Sequence, residues 1–269
     1  MSEDISLIPS PAALAERRER VLLIFAGIFL GAMTMLNILG ITRFIHIGPL
    51  ALAVGVLPYP LTFLCTDFIS EFYGRRRANF VVFVGFLLNL MVLGFLWLGH
   101  LLPEMSEAVR PSWQPEGSWA PPPWQTLTFA SPVVFFGGDP RARMDLFEIL
   151  YLCTRGAVLA SMVAYLAAQF CDVYLFHFWK RLTKGKHLWL RNNGSTMISQ
   201  LVDATAVVFI VFWAQFVGGE RTLAGMLALV GCNYLFKVCI AALDTIPFYV
   251  GVHFLKRYLQ VDPTEENNA

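Results

Sequence analysis

Asp67, Glu71, Arg155, Asp172, Asp203, Lys237 and Asp244 are ionisable residues set inside stretches otherwise apolar enough to cross a bilayer. A charge at membrane depth costs ~2.5–3.5 kcal/mol on insertion scales unless it faces a partner or a wet cavity. The acids outnumber the bases five to two. The chemistry on offer is therefore hydrogen-bond acceptance, ion pairing and proton carriage along a polar path, which points to a transporter. An internal salt-bridge network, Lys237 with one acid and Arg155 with another, is the structural alternative, and it leaves the remaining acids unexplained.

Spacing sorts these residues. Asp67 and Glu71 are four apart and share a helical face, where two ionised carboxylates repel, so a cation or a bound proton is expected beside them. Glu71, three positions before Gly74, reads as reaching the cytoplasmic interface, and Asp67 as buried and functional. Gln169 and Asp172 lie toward the inner end of one span, Thr196, Ser199, Gln200 and Asp203 form a stripe on the next, and Asn233, Lys237 and Asp244 fall on one face of the last. At 1.5 Å per residue, Asp67 and Asp172 lie about 12 Å from the nearest cytoplasmic basic cluster, and Asp203 and Asp244 about 18 Å. Four spans thus bring carboxylates toward one level, and a shared cavity is expected there.

Other chemistries are poorly served. The five histidines, His46, His100, His177, His187 and His253, show no i, i+3 or i+4 pair, which argues against a haem or a histidine metal site. The cysteines Cys65, Cys153, Cys171, Cys232 and Cys239 all fall in apolar spans with no C-x-x-C, and read as packing residues rather than a disulfide framework. No Gly-x-Ser-x-Gly elbow, H-E-x-x-H helix or G-x-x-x-x-G-K-[ST] loop is present. No enzyme, cofactor or metal is expected, and coupling to ATP would require another subunit.

The elements that must hold these residues follow from composition. Apolar residues make up 57% of the chain and charged ones 14%, with mean hydropathy +0.59 and a net charge of +1 that offers nucleic acid no electrostatic footing. Windows long enough for a core of about 30 Å lie at 21–42, 50–73, 79–101, 147–178, 195–217 and 223–255. If these six spans alternate, thirteen Lys and Arg fall on one side and five on the other, so both termini are expected in the cytoplasm. The expectation is an all-α integral membrane protein with six transmembrane helices. A cytoplasmic segment covers 1–20, the transporter domain 21–258 and a cytoplasmic tail 259–269. The first apolar run reads as a retained span rather than a signal-peptide core. Gly48, Pro49, Gly55, Pro58 and Pro60 predict a kinked or broken second span, the kind of interruption from which transporters build sites. Residues 103–145, with Trp113, Trp119, Trp124 and Pro121 to Pro123, read as an extended outer loop with tryptophans at the headgroup level. Gly27 and Gly31 form a G-x-x-x-G that suits close packing within the chain and also allows a homodimer.

At the polar positions the chain resembles a known family. Pro58-Tyr-Pro-Leu-Thr-Phe-Leu-Cys-Thr-Asp67, Arg155 with Ala157 to Ser161, and Gln169-Phe-Cys-Asp172-Val-Tyr-Leu-Phe176 are similar to the bacterial queuosine precursor transporters, also catalogued as vitamin uptake transporters. So are Ser195-Thr196 with Gln200-Leu-Val-Asp203-Ala-Thr205, and Tyr234-Leu-Phe-Lys237 followed by Asp244-Thr-Ile-Pro247. The resemblance runs from about residue 50 to 257 without the outer loop, which is longer here than in compact members, and Asp244-Thr-Ile-Pro247 has one residue more than the family's Asp-Thr-Pro. It implies uptake of 7-cyano-7-deazaguanine or 7-aminomethyl-7-deazaguanine across the bacterial inner membrane, for queuosine modification of tRNA. A deazaguanine presents ring N–H and amine donors on one edge, suited to carboxylate acceptors. Asp67, Asp172 and Asp203 are expected at that edge, supplemented by Gln200 and Asn233. Arg155, Lys237 and Asp244 are expected as charge partners or coupling groups, with proton coupling resting on the surplus acids. Phe63, Phe68, Tyr73, Phe170, Tyr174, Tyr234 and Phe236 are candidate stacking faces. The other transport reading is a substrate-binding membrane subunit of an ATP-driven vitamin importer, which the six-span size allows.

Overall fold

Within lipid, backbone groups must be satisfied inside their own segment, so helices are the natural carriers of a buried polar stripe. The computed structural model describes residues 10–40, 42–47, 50–102, 112, 113, 115, 124–133, 139–154, 159–184, 186–219 and 221–261, most of them helical. In chain order they form α1 (Pro11–Gly40), β1 (Phe44–Ile47), β2 (Leu50–Ala53), α2 (Tyr59–Leu101), β3 (Thr126–Val133), β4 (Arg141–Asp145), α3 (Leu146–Cys153), α4 (Leu159–Leu182), α5 (Leu188–Val217) and α6 (Leu223–Leu259). Pro11–Gly40, Val54–Leu101 and Leu223–Leu259 are each long and apolar enough to cross a hydrocarbon core. They expose Leu23 and Ile24, Phe80 and Phe95, and Leu243 and Ile246, large apolar side chains that water would not leave uncovered. This is a helical membrane protein.

The chain divides into two compact units, one of Met1–Leu88 with Ala160–Ala269 and one of Asn89–Leu159. In the first, α1 starts at a proline whose missing N–H costs nothing in the first turn, while Ser10 accepts from the Ala13 N–H (3.2 Å). After it comes an antiparallel hairpin, β1 and β2, with Phe44 opposite Ala53 and Ile47 opposite Leu50. The expected second span therefore opens not at residue 50 but at Tyr59. Pro58 and Pro60 suit a helix entry rather than a helix interior, and the apolar run before them is used as strand. Gly48 and Pro49 lie outside the described residues. Gly55 is required where the chain crosses α1, since a Cβ there would sit 2.5 Å from the Leu36 carbonyl oxygen and 2.7 Å from the Gly40 Cα.

The kink expected near Pro58 and Pro60 is not found within the second span: from Tyr59 the helix runs unbroken to Gly74, the junction with the third expected span. Gly74 has φ 79 and ψ 171 inside α2, a conformation open essentially to glycine alone. Phe25 stacks on Phe68 at 4.8 Å, and one turn further along α1 Phe29 meets Gly85. On a straight helix residues 68 and 85 would be about 25 Å apart, so the chain turns back at Gly74. The two legs, 59–73 and 75–101, correspond to the second and third expected spans, and Tyr59, Phe63, Ile69, Ala78 and Val82 share one core with Phe29 and Met33. A second core joins Phe68 and Phe72 to Phe176, Phe248 and Val252 of α4 and α6, and a third packs Ala204 and Val208 of α5 on Met226 and Val230 of α6.

Helix α5 starts at Leu188, seven residues before the expected entry at 195. Asn192 and Asn193, before the expected entry, are buried inside it, and Asn193 hydrogen-bonds the Thr245 side chain of α6. Helix α6 is capped by Thr222, whose hydroxyl accepts from the Gly225 N–H (3.2 Å). The five cysteines are free thiols.

The second unit departs from an extended loop. β3 and β4 pair antiparallel, with Thr126 opposite Asp145 and Leu127 opposite Met144. Asp145 then caps α3 by accepting from the Phe147 N–H (3.2 Å), and Arg141 pairs with Glu148 at 2.5 Å. Trp113 and Trp124 are exposed, while Trp119 and Pro121 to Pro123 lie outside the described residues. The expected fourth span falls on two helices, α3 and α4; residues 155–158 between them, Arg155 included, lie outside the described residues.

Candidate functional site

Three polar centres lie within the first unit. At the first, Asp67 of α2 and Asp172 of α4 are buried with their carboxyl groups within hydrogen-bonding reach of one another. The Ser199 hydroxyl of α5 donates to Asp172 Oδ1 (3.1 Å). Among the described residues Asp67 Oδ1 and Asp172 Oδ2 find no hydrogen-bond partner, nor does the buried Oε1 of Gln200. Two ionised carboxylates side by side repel, and among the described residues no cation lies within ion-pairing distance of either. A shared proton or a ligand rich in donors removes that repulsion and satisfies the orphaned acceptors. Beside this pair, the Thr66 hydroxyl reaches Gln169 Oε1 (3.3 Å), and Gln169 Nε2 donates to the Tyr165 hydroxyl (2.5 Å).

The second centre lies one turn further along α5. Lys237 of α6 donates to Asp203 Oδ2, and both side chains are buried. The Tyr59 hydroxyl donates to the same oxygen (3.0 Å), and Lys237 Nζ lies 4.3 Å from the centre of the Tyr59 ring. Tyr59 also meets Phe63 (5.0 Å between ring centres) and Tyr165 (6.1 Å), so an aromatic group joins the two centres. Asp203 thus has its charge balanced, while Asp67 and Asp172 face one another.

Glu71 forms the third centre. Expected at the cytoplasmic interface, its side chain is 1% exposed and bound by Arg191 Nη2 of α5 at 2.9 Å and Lys180 Nζ of α4 at 3.4 Å. Lys180 donates also to the Glu71 carbonyl oxygen (3.1 Å). In an unbroken helix that carbonyl would take the N–H of residue 75, so the lysine caps the end of the first leg of α2 where Gly74 interrupts it. Its partners come from the basic cluster between the fourth and fifth expected spans, at separations of 109 and 120 residues that periodicity cannot reveal.

The fold therefore brings Asp67, Asp172, Asp203, Gln200 and Lys237 onto three neighbouring helices and one leg of α2. Asn233 lies one turn from Lys237 and is half-buried, as is Asp244, which looks toward Asp67 only from a distance. Tyr59, Tyr165 and Ser199 are the polar partners to which the spacing argument gave no specific role. Tyr165 could have been found four residues before Gln169 and seven before Asp172, on the same face of α4.

Comparison with known proteins adds to this geometry. The sequence profile of the family described as "Putative vitamin uptake transporter" matches residues 53–251. Over 187 residues the chain is 28% identical to the "Probable queuosine precursor transporter" of Bacillus subtilis (strain 168), covering 68% of this chain and 67% of that one. Over 195 residues it is 25% identical to the "Queuosine precursor transporter" of Escherichia coli (strain K12), covering 72% and 70%. No solved structure matches the chain. Each polar residue above lies inside the matched segment.

Proposed function

This chain belongs to the vitamin uptake transporter family, and from that premise we propose that it carries a queuosine precursor into the cell. It is a membrane transporter and not an enzyme. The cargo is 7-cyano-7-deazaguanine or 7-aminomethyl-7-deazaguanine, and the location is the bacterial inner membrane, spanned six times with both termini in the cytoplasm. The observation that carries this reading is the set of buried acceptors without hydrogen-bond partners among the described residues, Asp67 Oδ1, Asp172 Oδ2 and Gln200 Oε1. A deazaguanine offers donors on one edge, and carboxylates accept without competing donors of their own. Asp203, with one oxygen already engaged by Lys237 and Tyr59, contributes less to the purine edge than the other two acids, and Asn233 supplements it.

A proton shared by Asp67 and Asp172 reduces the charge of the pair from two to one; carried inward with the ligand and released to the cytoplasm, it couples proton movement to uptake. The Glu71, Lys180 and Arg191 cluster, one turn from Asp67 toward the basic end of the helices, closes the route to the cytoplasm until it parts. The reading as a subunit of an ATP-driven importer gains no support from the relatives, each named as a transporter in its own right.

The decisive experiment is complementation. A bacterium that neither makes nor imports the precursor should regain queuosine in its tRNA when this chain is expressed and precursor is supplied at low concentration. Absence of rescue by well-expressed protein would remove the substrate assignment.

A further inference from the structure

A recess is lined by Pro11, Leu14, Ala15, Arg18 and Glu19 of α1 and by Phe72, Tyr73 and Arg77 of α2, and encloses about 470 Å³. That volume is in the range of small-ligand sites. Its lining combines apolar Leu14 and Phe72 with two arginines and the Tyr73 phenol. The Tyr73 hydroxyl donates to the Arg18 carbonyl oxygen (2.8 Å), and the Arg77 guanidinium lies 5.8 Å from the Tyr73 ring centre. Arg18 Nε is buried without a hydrogen-bond partner among the described residues. Arg77 is engaged by Glu19 only at 3.8 Å, with side-chain exposures of 51% and 64%, a contact that solvent screens and that leaves its donors for another anion.

Depth identifies the anion. The belt of outward apolar side chains begins at Leu23 and Ile24 on α1 and at Phe80 and Phe83 on α2. Arg18 precedes Leu23 by about 7 Å of helix rise and Arg77 precedes Phe80 by about 4–5 Å. The headgroup layer on each face of a bilayer is about 5–7 Å thick. Both guanidiniums therefore lie where phosphodiesters lie, and Leu14 and Phe72 offer apolar contact to the headgroup beside them.

We propose that this recess binds the headgroup of an anionic phospholipid, its phosphate bridged by Arg18 and Arg77, with fork-shaped donors suited to phosphate oxygens. Occupancy would tie the start of α1 to the chain on both sides of Gly74. The test is lipid retained by the detergent-purified full-length chain after washing with phosphatidylglycerol or phosphatidylcholine micelles, quantified by mass spectrometry. Wild type should retain at least fivefold more of the anionic lipid, and Arg18→Gln with Arg77→Gln should abolish the preference. Leu14→Trp, which fills the recess and spares both arginines, should also evict lipid while the protein elutes as wild type. Glu19→Gln should raise retention. Equal retention of both lipids, or an unchanged preference in the well-folded double variant, would overturn the proposal. So would loss of lipid to millimolar inorganic phosphate, which would mark a site for the free anion. No transport is measured, so the outcome is separate from that of the precursor assay.

Discussion

Asp67, Asp172 and Asp203 occupy two different electrostatic situations, and substitution should tell them apart. Asp67 and Asp172 share a face and lack a cation partner among the described residues, so Asp67→Asn and Asp172→Asn should preserve folding while lowering precursor uptake at least tenfold in vesicles. Uptake near the wild-type level in both would remove these residues from the site. Asp203 behaves otherwise because Lys237 balances it. Lys237→Met leaves a buried carboxylate unpaired, a change that costs about 3–5 kcal/mol in buried pairs, and should lower the melting temperature in detergent. Adding Asp203→Asn should restore most of that loss, and a double variant no more stable than Lys237→Met would show that the pair is not a balanced unit. Tyr59→Phe removes one hydrogen bond to Asp203, about 1 kcal/mol, and should raise KM for the precursor by a few-fold with little change in expression.

At the scale of elements, the turn at Gly74 and the ion cluster before it control the legs of α2. A side chain at φ 79 and ψ 171 costs about 1–3 kcal/mol, so Gly74→Ala should lower thermal stability measurably in a ligand-free melt. Glu71→Gln weakens the hold of Lys180 and Arg191, and should increase cytoplasmic-side thiol labelling of a cysteine placed at the buried Ser70. Unchanged labelling would mean that the cluster does not close the route. How far these elements can be read from the sequence depends on the interaction that sets them. Asp67, Asp172, Asp203 and Lys237 stand out because a charge in an apolar run is costly wherever the fold puts it. The hairpin at 44–53 does not stand out, because a short apolar run fits strand and helix equally. The partners of Glu71 stay hidden because they are more than 100 residues away, and the entry to α5 lies earlier than expected because Asn193 finds a tertiary partner inside the helix. Tyr59 stays silent since a phenol bound to a carboxylate and one packed on lipid look alike in sequence.

At the scale of the whole molecule, the premise is a membrane transporter driven across an acidic site. If a proton shared by Asp67 and Asp172 is the coupling element, collapsing the pH gradient across vesicles should reduce accumulation of labelled precursor to its equilibrium level. Accumulation that persists would exclude proton coupling while leaving the substrate assignment intact. The double hold of Lys180 on Glu71, side chain and carbonyl together, has a further consequence. The same ammonium secures a charge and stands in for the backbone bond lost where α2 turns, so the joint cannot flex while the lock stays shut. Bending and unlocking are then a single cooperative event. Gly74→Ala and Lys180→Met should accordingly be strongly epistatic, their combined effect on transport rate falling well short of the product of the two alone.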